Sequence, residues 1–299
     1  MKVLNFGSLN MDYSYQVDHI VREGETISSK DLKINLGGKG FNQSVALARA
    51  GVPVYHAGLV GEEGLDFYDA CQDCGIKTDY MRTVTGRCGH TIIQVDNEGQ
   101  NSIVLYGGAN QKNTKEFVDE VLSNFSTGDI ILLQNEINEL PYIIDQAFAK
   151  GMTIVLNPSP MDDRINECDL GKVSIFVLNE NEGTQLTGKT TPATIVAAME
   201  ASFSNAKILL TLGKDGAIYH HGDEELYQGA FEVDTVDTTA AGDTFTGYFI
   251  SGLIKKMPTR VNLILASKAA ALAVTKAGAA QSIPFMSEVE LFKLDEDNQ

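Results

Sequence analysis

Asp237-Thr-Thr-Ala-Ala-Gly-Asp243-Thr-Phe-Thr-Gly247 decides what kind of chain this is. Two threonines, two alanines and a glycine lead into a run with helical character. Small residues at a helix start let backbone N–H groups approach a ligand closely, and the positive end of the helix dipole points at the same spot. The pattern predicts an anion hole for a phosphoryl group in transfer. Asp243 stands at its mouth. A carboxylate repels bound phosphate, so simple anion binding is a poor account of it. A base that takes a proton from an attacking hydroxyl is a better one. On these residues alone, an ordinary first helical turn with a favourable dipole partner remains open.

Three further stretches carry polar groups at the ends of apolar runs. Gly37-Gly38-Lys39-Gly40-Phe41-Asn42-Gln43 places three glycines in four residues before a helix, which permits a tight, ligand-hugging turn. Lys39 and Asn42 there offer donors to hydroxyls. The segment is no Walker loop, because it lacks the G-x-x-x-x-G-K-[ST] spacing. Gly7-Ser8-Leu9-Asn10-Met11-Asp12 follows the first strand and offers Asn10 and Asp12 as hydroxyl readers. Asn179 and Glu182 are three apart at a helix start, and such oxygen ligands suit Mg²⁺, often through water. A polar turn or a solvated helix start is the bland alternative for each.

Working outward, short apolar runs at 3–9, 54–59, 130–133, 153–156, 175–178 and 207–212 alternate with helical patterns. These include 45–50, 65–74, 140–150, 180–187, 194–203, 241–253 and 261–275. Runs apolar on both parities predict strands buried on both faces, hence a doubly wound α/β domain with a mostly parallel sheet. Residues 11–36 and 85–107 instead alternate with period two, with a hairpin turn at 96–100. They read as two β insertions forming a small sheet, a lid over the edge of one domain spanning 1–299. The acidic end, 294–299, reads as a frayed tail.

Composition narrows the function classes. The chain has 299 residues, 43% of them hydrophobic, enough to bury a sizeable core. A net charge of −17 argues against nucleic acid and anionic membranes as partners. No apolar run reaches the length of a membrane span, and the start lacks the apolar segment of a signal peptide, which predicts the cytosol. Cys71-Gln-Asp-Cys74 is read as one helix face, because no second pair completes a zinc site.

Taken together, the four segments resemble the ribokinase family of carbohydrate kinases, of the phosphofructokinase B type, from about Val3 to Pro284. Residues 156–160, Leu-Asn-Pro-Ser-Pro, and 211–216, Thr-Leu-Gly-Lys-Asp-Gly, are similar to family segments too. The resemblance implies a ribokinase-like fold and ATP-dependent phosphorylation of a primary hydroxyl, first of all that of ribose. Fructose, a sugar acid or a nucleoside is the alternative acceptor, and a non-catalytic sugar sensor is the reading outside the enzymes. It implies Asp243 as base, with Ala240, Ala241 and Gly242 as the anion hole. Asn10, Asp12, Gly38, Lys39, Asn42 and Glu136 match sugar-binding positions, and Thr91 and Ile93 match lid residues that touch the sugar. Asn179 and Glu182 match the motif that places Mg²⁺ and phosphates. Thr211, Gly213, Gly216 and Gly242 match nucleotide contacts. Asp237, Thr239, Ala273, Lys276, Gly278 and Ser282 match a K⁺ site. The lid implies a homodimer. There are two departures from the family pattern. Tyr248 replaces a small residue, and His90 with Gln94 brings polarity to a lid strand; either hints at a different acceptor, while an outer-face or dimer-contact position is the simpler reading of His90.

Overall fold

The computed structural model describes residues 1–292, so the acidic end at 294–299 lies outside the described residues. The chain opens with β1 (Val3–Phe6), β2 (Asn10–Gln16), β3 (Asp31–Gly37), α1 (Lys39–Arg49), β4 (Val54–Val60), α2 (Asp66–Asp73) and β5 (Lys77–Thr83). It continues with β6 (Gly89–Val95), β7 (Asn101–Tyr106), α3 (Lys115–Leu122), β8 (Ile130–Gln134), α4 (Leu140–Ala149), β9 (Thr153–Asn157) and β10 (Ile175–Asn179). Then come α5 (Glu180–Thr187), α6 (Pro192–Ser202), β11 (Lys207–Thr211), β12 (Ala217–His221), β13 (Glu224–Gln228), α7 (Ala241–Ile254), α8 (Thr259–Val274) and α9 (Met286–Leu291).

A nine-stranded sheet runs β13-β12-β11-β10-β9-β8-β1-β4-β5. It is parallel from β11 to β5, and β12 and β13 add an antiparallel hairpin. The parity of the apolar strands explains the two layers. Val3, Leu132, Val155 and Leu209 join a core with α1, α2, α7 and α8 on one face. Leu4, Phe6, Ile131, Leu133 and Ile154 join a second core with α3, α4 and α6 on the other. Cys71 is buried in the first of these cores and both cysteines of the C-x-x-C stretch are free thiols.

A separate four-stranded sheet runs β3-β2-β6-β7. Its register puts Asp12 opposite Asn35 and Thr91, and Thr91 opposite Leu105, so these share one face. Met11, Tyr13, Leu32, Ile34, His90, Ile92, Gln94, Val104 and Tyr106 share the other. Leu32, Ile34, Ile92, Val104 and Tyr106 of that outer face are exposed. His90 stacks there between Tyr13 and Tyr106, with ring centroids 5.9 and 4.9 Å away. Gln94 accepts a hydrogen bond from the Val21 N–H. The hint of an altered acceptor from His90 and Gln94 is therefore corrected. The pleat turns both away from Asp12, so neither side chain reads a ligand on that face.

α1 and α7 lie side by side and both begin at the carboxyl ends of the strands. A Cβ at Gly247 would collide with the Cβ of Ala46, so glycine is what allows the helices to approach this closely. The next residue, Tyr248, is fully buried and its hydroxyl donates to the Pro284 carbonyl at 2.7 Å. The bulky ring thus fills the core and ties α7 to the segment before α9. Tyr248→Ala is expected to destabilise the fold by about 3–5 kcal/mol in urea unfolding. Tyr248→Phe keeps the packing and is expected to lose only about 1 kcal/mol.

Candidate active site

In open parallel sheets ligands lie beyond the carboxyl ends of the strands. Every segment singled out in the sequence reaches that edge. β1 delivers Ser8 and Asn10, β3 and α1 deliver Gly38 to Gln43, and β8 is followed by Glu136. β9, β10 and β11 end at Asn157, Asn179 and Thr211. α7 starts from Ala240, which takes the left-handed φ of 60°. The Ala241 N–H donates to the Thr238 carbonyl at 3.3 Å, while the Gly242 and Asp243 N–H groups that follow have no helical partners and can hold an anion. A Cβ at Gly242 would meet no atom within 4 Å, so the space before this helix end is open.

A cavity of about 210 Å³ brings together Lys39, Asn157, Asn179, Glu182, Thr211, Thr238, Thr246 and the Ala240–Asp243 turn. It meets a groove of about 1110 Å³ lined by Gly213, Gly216, Phe231, Ser267 and Ala271, with Thr211, Thr238, Ala241 and Gly242 shared between the two. The shared residues make one continuous site: a long groove leading to a small, polar, acid-bearing end.

Around that end the charges are strongly perturbed. Asp12 accepts from the Thr91 hydroxyl at 2.5 Å. Burial drives the Asp12 carboxyl up to about 6, with the Thr91 hydrogen bond opposing and Glu136 and Asp243 adding to the rise. Glu136 is buried, and that burial holds its carboxyl above the usual range. It accepts from the Ser8 hydroxyl and from the Lys39 N–H. Burial pulls the Lys39 ammonium down, but Asp243, Glu136 and Glu182 outweigh it and leave it raised. Asn10 is buried, its Oδ1 accepting from Asn110 at 2.7 Å. Gly38, at φ 90°, turns the chain into α1. Ile93 lies on the Asp12 face of the small sheet, two residues beyond Thr91.

Asp243 is 7% exposed and both of its oxygens are held. Asn42 Nδ2 donates to Oδ2 at 3.1 Å and Gln43 Nε2 to Oδ1 at 2.8 Å. Asn42 Oδ1 is buried without a partner, an acceptor ready for a ligand hydroxyl. Gln43, Gln134, Asn157, Ser8 and Asn110 are the site residues that sequence reasoning did not assign. One signal for them exists: Gln134 and Asn157 are the polar last residues of otherwise apolar strands.

The metal-matching residues fall in two places. Asn179 and Glu182 form a capping box, each side chain bonded to the other's backbone N–H at 3.0 and 2.9 Å. Among the described residues no group of three or more His, Cys, Asp or Glu is placed to hold a metal ion. Asn179 and Glu182 line the smaller cavity, and so sparse a set of oxygen donors fits a Mg²⁺ that brings its own phosphate and water ligands, with Glu182 as the nearby carboxylate. Asp237 accepts from the Thr239 N–H and hydroxyl and, at 2.9 Å, from the Gly278 N–H. Burial alone would raise the Asp237 carboxyl, but these bonds outweigh it and hold it low. One ionised carboxylate beside turns rich in carbonyl oxygens suits a singly charged ion. Ser282 donates to Ala279 O, while the Lys276 ammonium pairs with Glu288, so Lys276 could serve an ion only through its carbonyl.

Comparison with known proteins gives this geometry a context. The profile of the pfkB family carbohydrate kinase matches residues 1–286. A ribokinase of Staphylococcus aureus is 36% identical over 300 residues, covering 96% of this chain and 98% of that protein. A deoxyribokinase of Salmonella typhi is 29% identical over 301 residues, covering 96% and 97%. The structure of Arabidopsis thaliana ribokinase complexed with ribose and ATP superposes with a TM-score of 0.87 at 32% identity, covering 98% of this chain and 99% of that one. Neighbouring parallel strands, the glycine turn before α1 and the acid-bearing start of α7 thus stand in a chain that belongs to the pfkB family of carbohydrate kinases.

Proposed function

We propose that the chain transfers the γ-phosphoryl group of ATP to the 5-hydroxyl of D-ribose. The observation that carries this reading is the juxtaposition at the start of α7. Buried Asp243 shares a cavity with the N-terminal turn Ala240–Gly242 and with Lys39. Asn42 is bonded to Asp243, whose charge also reaches the carboxyls of Asp12 and Glu136. ATP-dependent sugar phosphorylation is the activity of relatives that match along nearly the whole chain.

In this reading Asp12, Glu136 and Asn42 grip ring hydroxyls and aim the primary hydroxyl at the nucleotide. Asp243 takes the hydroxyl proton as the oxygen attacks the γ-phosphorus in line. The bond to the β–γ bridging oxygen breaks and ADP leaves with that electron pair. The α7 N–H groups and the Lys39 ammonium face the developing negative charge. When bound, Mg²⁺ would screen the phosphates near Glu182, and K⁺ would brace the loop held by Asp237. Thr211, Gly213 and Gly216 would line the bed of the nucleotide. The small sheet would close over the sugar and exclude water. Its exposed outer face, with Ile34, Ile92 and Val104, suits pairing with a second copy. No described helix is long and apolar enough to cross a membrane. A cytosolic setting agrees with the free cysteines.

ADP release across acceptors tests this reading. Ribose is expected to outpace 2-deoxyribose, fructose and adenosine, and Asp243→Asn to slow ribose turnover by about 10²- to 10⁴-fold. A nucleoside as best acceptor, or near-normal turnover in the variant, contradicts it.

Asp12 gives a pH signature. Its carboxyl titrates near 6 in the folded chain against 3.8 as the ordinary value, so ionising it opposes folding above pH 6. Asp12→Asn is expected to melt higher than the parent at pH 7.5, by on the order of 2 kcal/mol in stability, with the gap closing as pH falls toward 4. The same variant loses sugar affinity, and the parent's KM for ribose rises as pH drops through 6.

Replacing K⁺ by tetramethylammonium is expected to lower turnover in the parent. The drop should be blunted in Asp237→Asn, whose turnover is already reduced.

A further inference from the structure

Behind the carboxylate of Asp243 runs a chain of polar side chains through the middle of the domain. Gln43, Gln134, Asn5, Ser44 and His56 are each 0% exposed. Gln43 Nε2 donates to Asp243 Oδ1 at 2.8 Å and Gln43 Oε1 accepts from Gln134 Nε2 at 2.6 Å. The same Gln134 nitrogen donates to Asn5 Oδ1 at 3.0 Å. Asn5 Nδ2 donates in turn to the Gly40 carbonyl at 2.6 Å and to Ser44 Oγ at 2.8 Å, and Ser44 meets His56 Nδ1 at 2.8 Å.

The order of donors is forced from the far end. A carboxamide presents nearly the same shape whichever way its oxygen and nitrogen point, so only its partners decide. The Gly40 carbonyl can only accept, which fixes Asn5 with its nitrogen toward Gly40. Asn5 Oδ1 must then face a donor, which fixes Gln134. Gln134 needs an acceptor in Gln43, which turns the Gln43 nitrogen toward Asp243. A flipped Gln43 would press its own oxygen against a carboxylate and lose its bonds to Asp243, to Gln134 and to Asn157 Oδ1. Buried polar groups of this kind cost stability unless every bond is made, so apolar packing would serve the core better.

We propose that Gln43 is a positioning residue for Asp243, its amide aimed by Gln134 and Asn5 on the oxygen side and by Asn157 Oδ1, 3.2 Å away, on the nitrogen side. With Asn42 Nδ2 on the other oxygen, at 3.1 Å, the carboxylate is held at both ends and one orientation remains. This rests on Asp243 acting as the base. A base held within a fraction of an ångström keeps its remaining lone pair on the acceptor hydroxyl.

The test measures turnover and KM for ribose in Gln43→Met and Gln134→Met, each also in an Asp243→Asn background. Gln43→Met removes a hydrogen bond to a charged group, so kcat is expected to fall about 10- to 100-fold with KM nearly unchanged. Gln134→Met removes one of the two groups that aim the Gln43 amide, Asn157 Oδ1 at 3.2 Å being the other, so a smaller loss of about 2- to 10-fold in kcat is expected. In the Asp243→Asn background both losses should nearly vanish, because the group being positioned is gone. A kcat for Gln43→Met within twofold of the parent overturns the proposal. Equal losses in both backgrounds also overturn it, since they report damage to the fold. Should Gln43→Met fail to fold, Gln134→Met decides alone by the same criteria. Full turnover in Asp243→Asn itself defeats the base reading instead, and is a separate result.

Discussion

The structure is organised around one constraint: a carboxylate buried at a helix start needs a donor for each of its oxygens. Asp243 meets that condition through two amide donors from α1 and the positive end of α7. Much else follows from bringing those two helix starts together. Gly247 is small so that α7 can lie against Ala46, and Ala240 takes a left-handed turn so that the helix opens toward the ligand space. Lys39, at the start of α1, is the one positive side chain lining the smaller cavity. The site therefore divides by sign. Asp12, Glu136 and Asp243 make an acceptor-rich end that favours a neutral polyhydroxylated molecule and repels phosphate. The α7 N–H groups and Lys39 make a donor-rich end that attracts phosphate. A chain with net charge −17 can still bind a nucleotide because that attraction is local.

The large sheet was legible because its inner strands are mostly apolar on both parities, and burial on both faces explains that. The edges were less so. β5 reads Lys-Thr-Asp-Tyr-Met-Arg-Thr and β13 reads Glu-Glu-Leu-Tyr-Gln, and both are edge strands whose polarity hides the period. The glycine turn before α1 and the small-residue turn before α7 were legible as ligand-approaching backbone. The side chains behind them were not. Gln43 draws its meaning from Gln134, 91 positions away, and from Asn5, and no local pattern announces such a partnership. His90 shows the opposite limit. Its polarity hinted at a different acceptor, but the outer-face position also read from the sequence is the one it takes, one step of register against β2 setting it beside Tyr13 and Tyr106.

The arrangement also bears on how the site is maintained. Asp237, on the approach to α7, is bonded to Gly278, and Tyr248, inside α7, is bonded to Pro284. Arg49, at the end of α1, donates to the Ala280 carbonyl at 2.9 Å and also to that of Ile283. Both helices that supply Asn42, Gln43 and Asp243 to the cavity region are thus tied to the same segment between α8 and α9. That segment supports the site from behind, since none of its residues is among those lining the two cavities.

The most direct measurement is a crystal structure with ribose and a non-hydrolysable ATP analogue bound together. The account requires an Asp243 oxygen about 2.6–3.2 Å from the 5-hydroxyl, with that hydroxyl in line with the γ-phosphorus before the start of α7. A 5-hydroxyl bonded to some other group, with the Asp243 carboxylate turned away from it, would contradict the account.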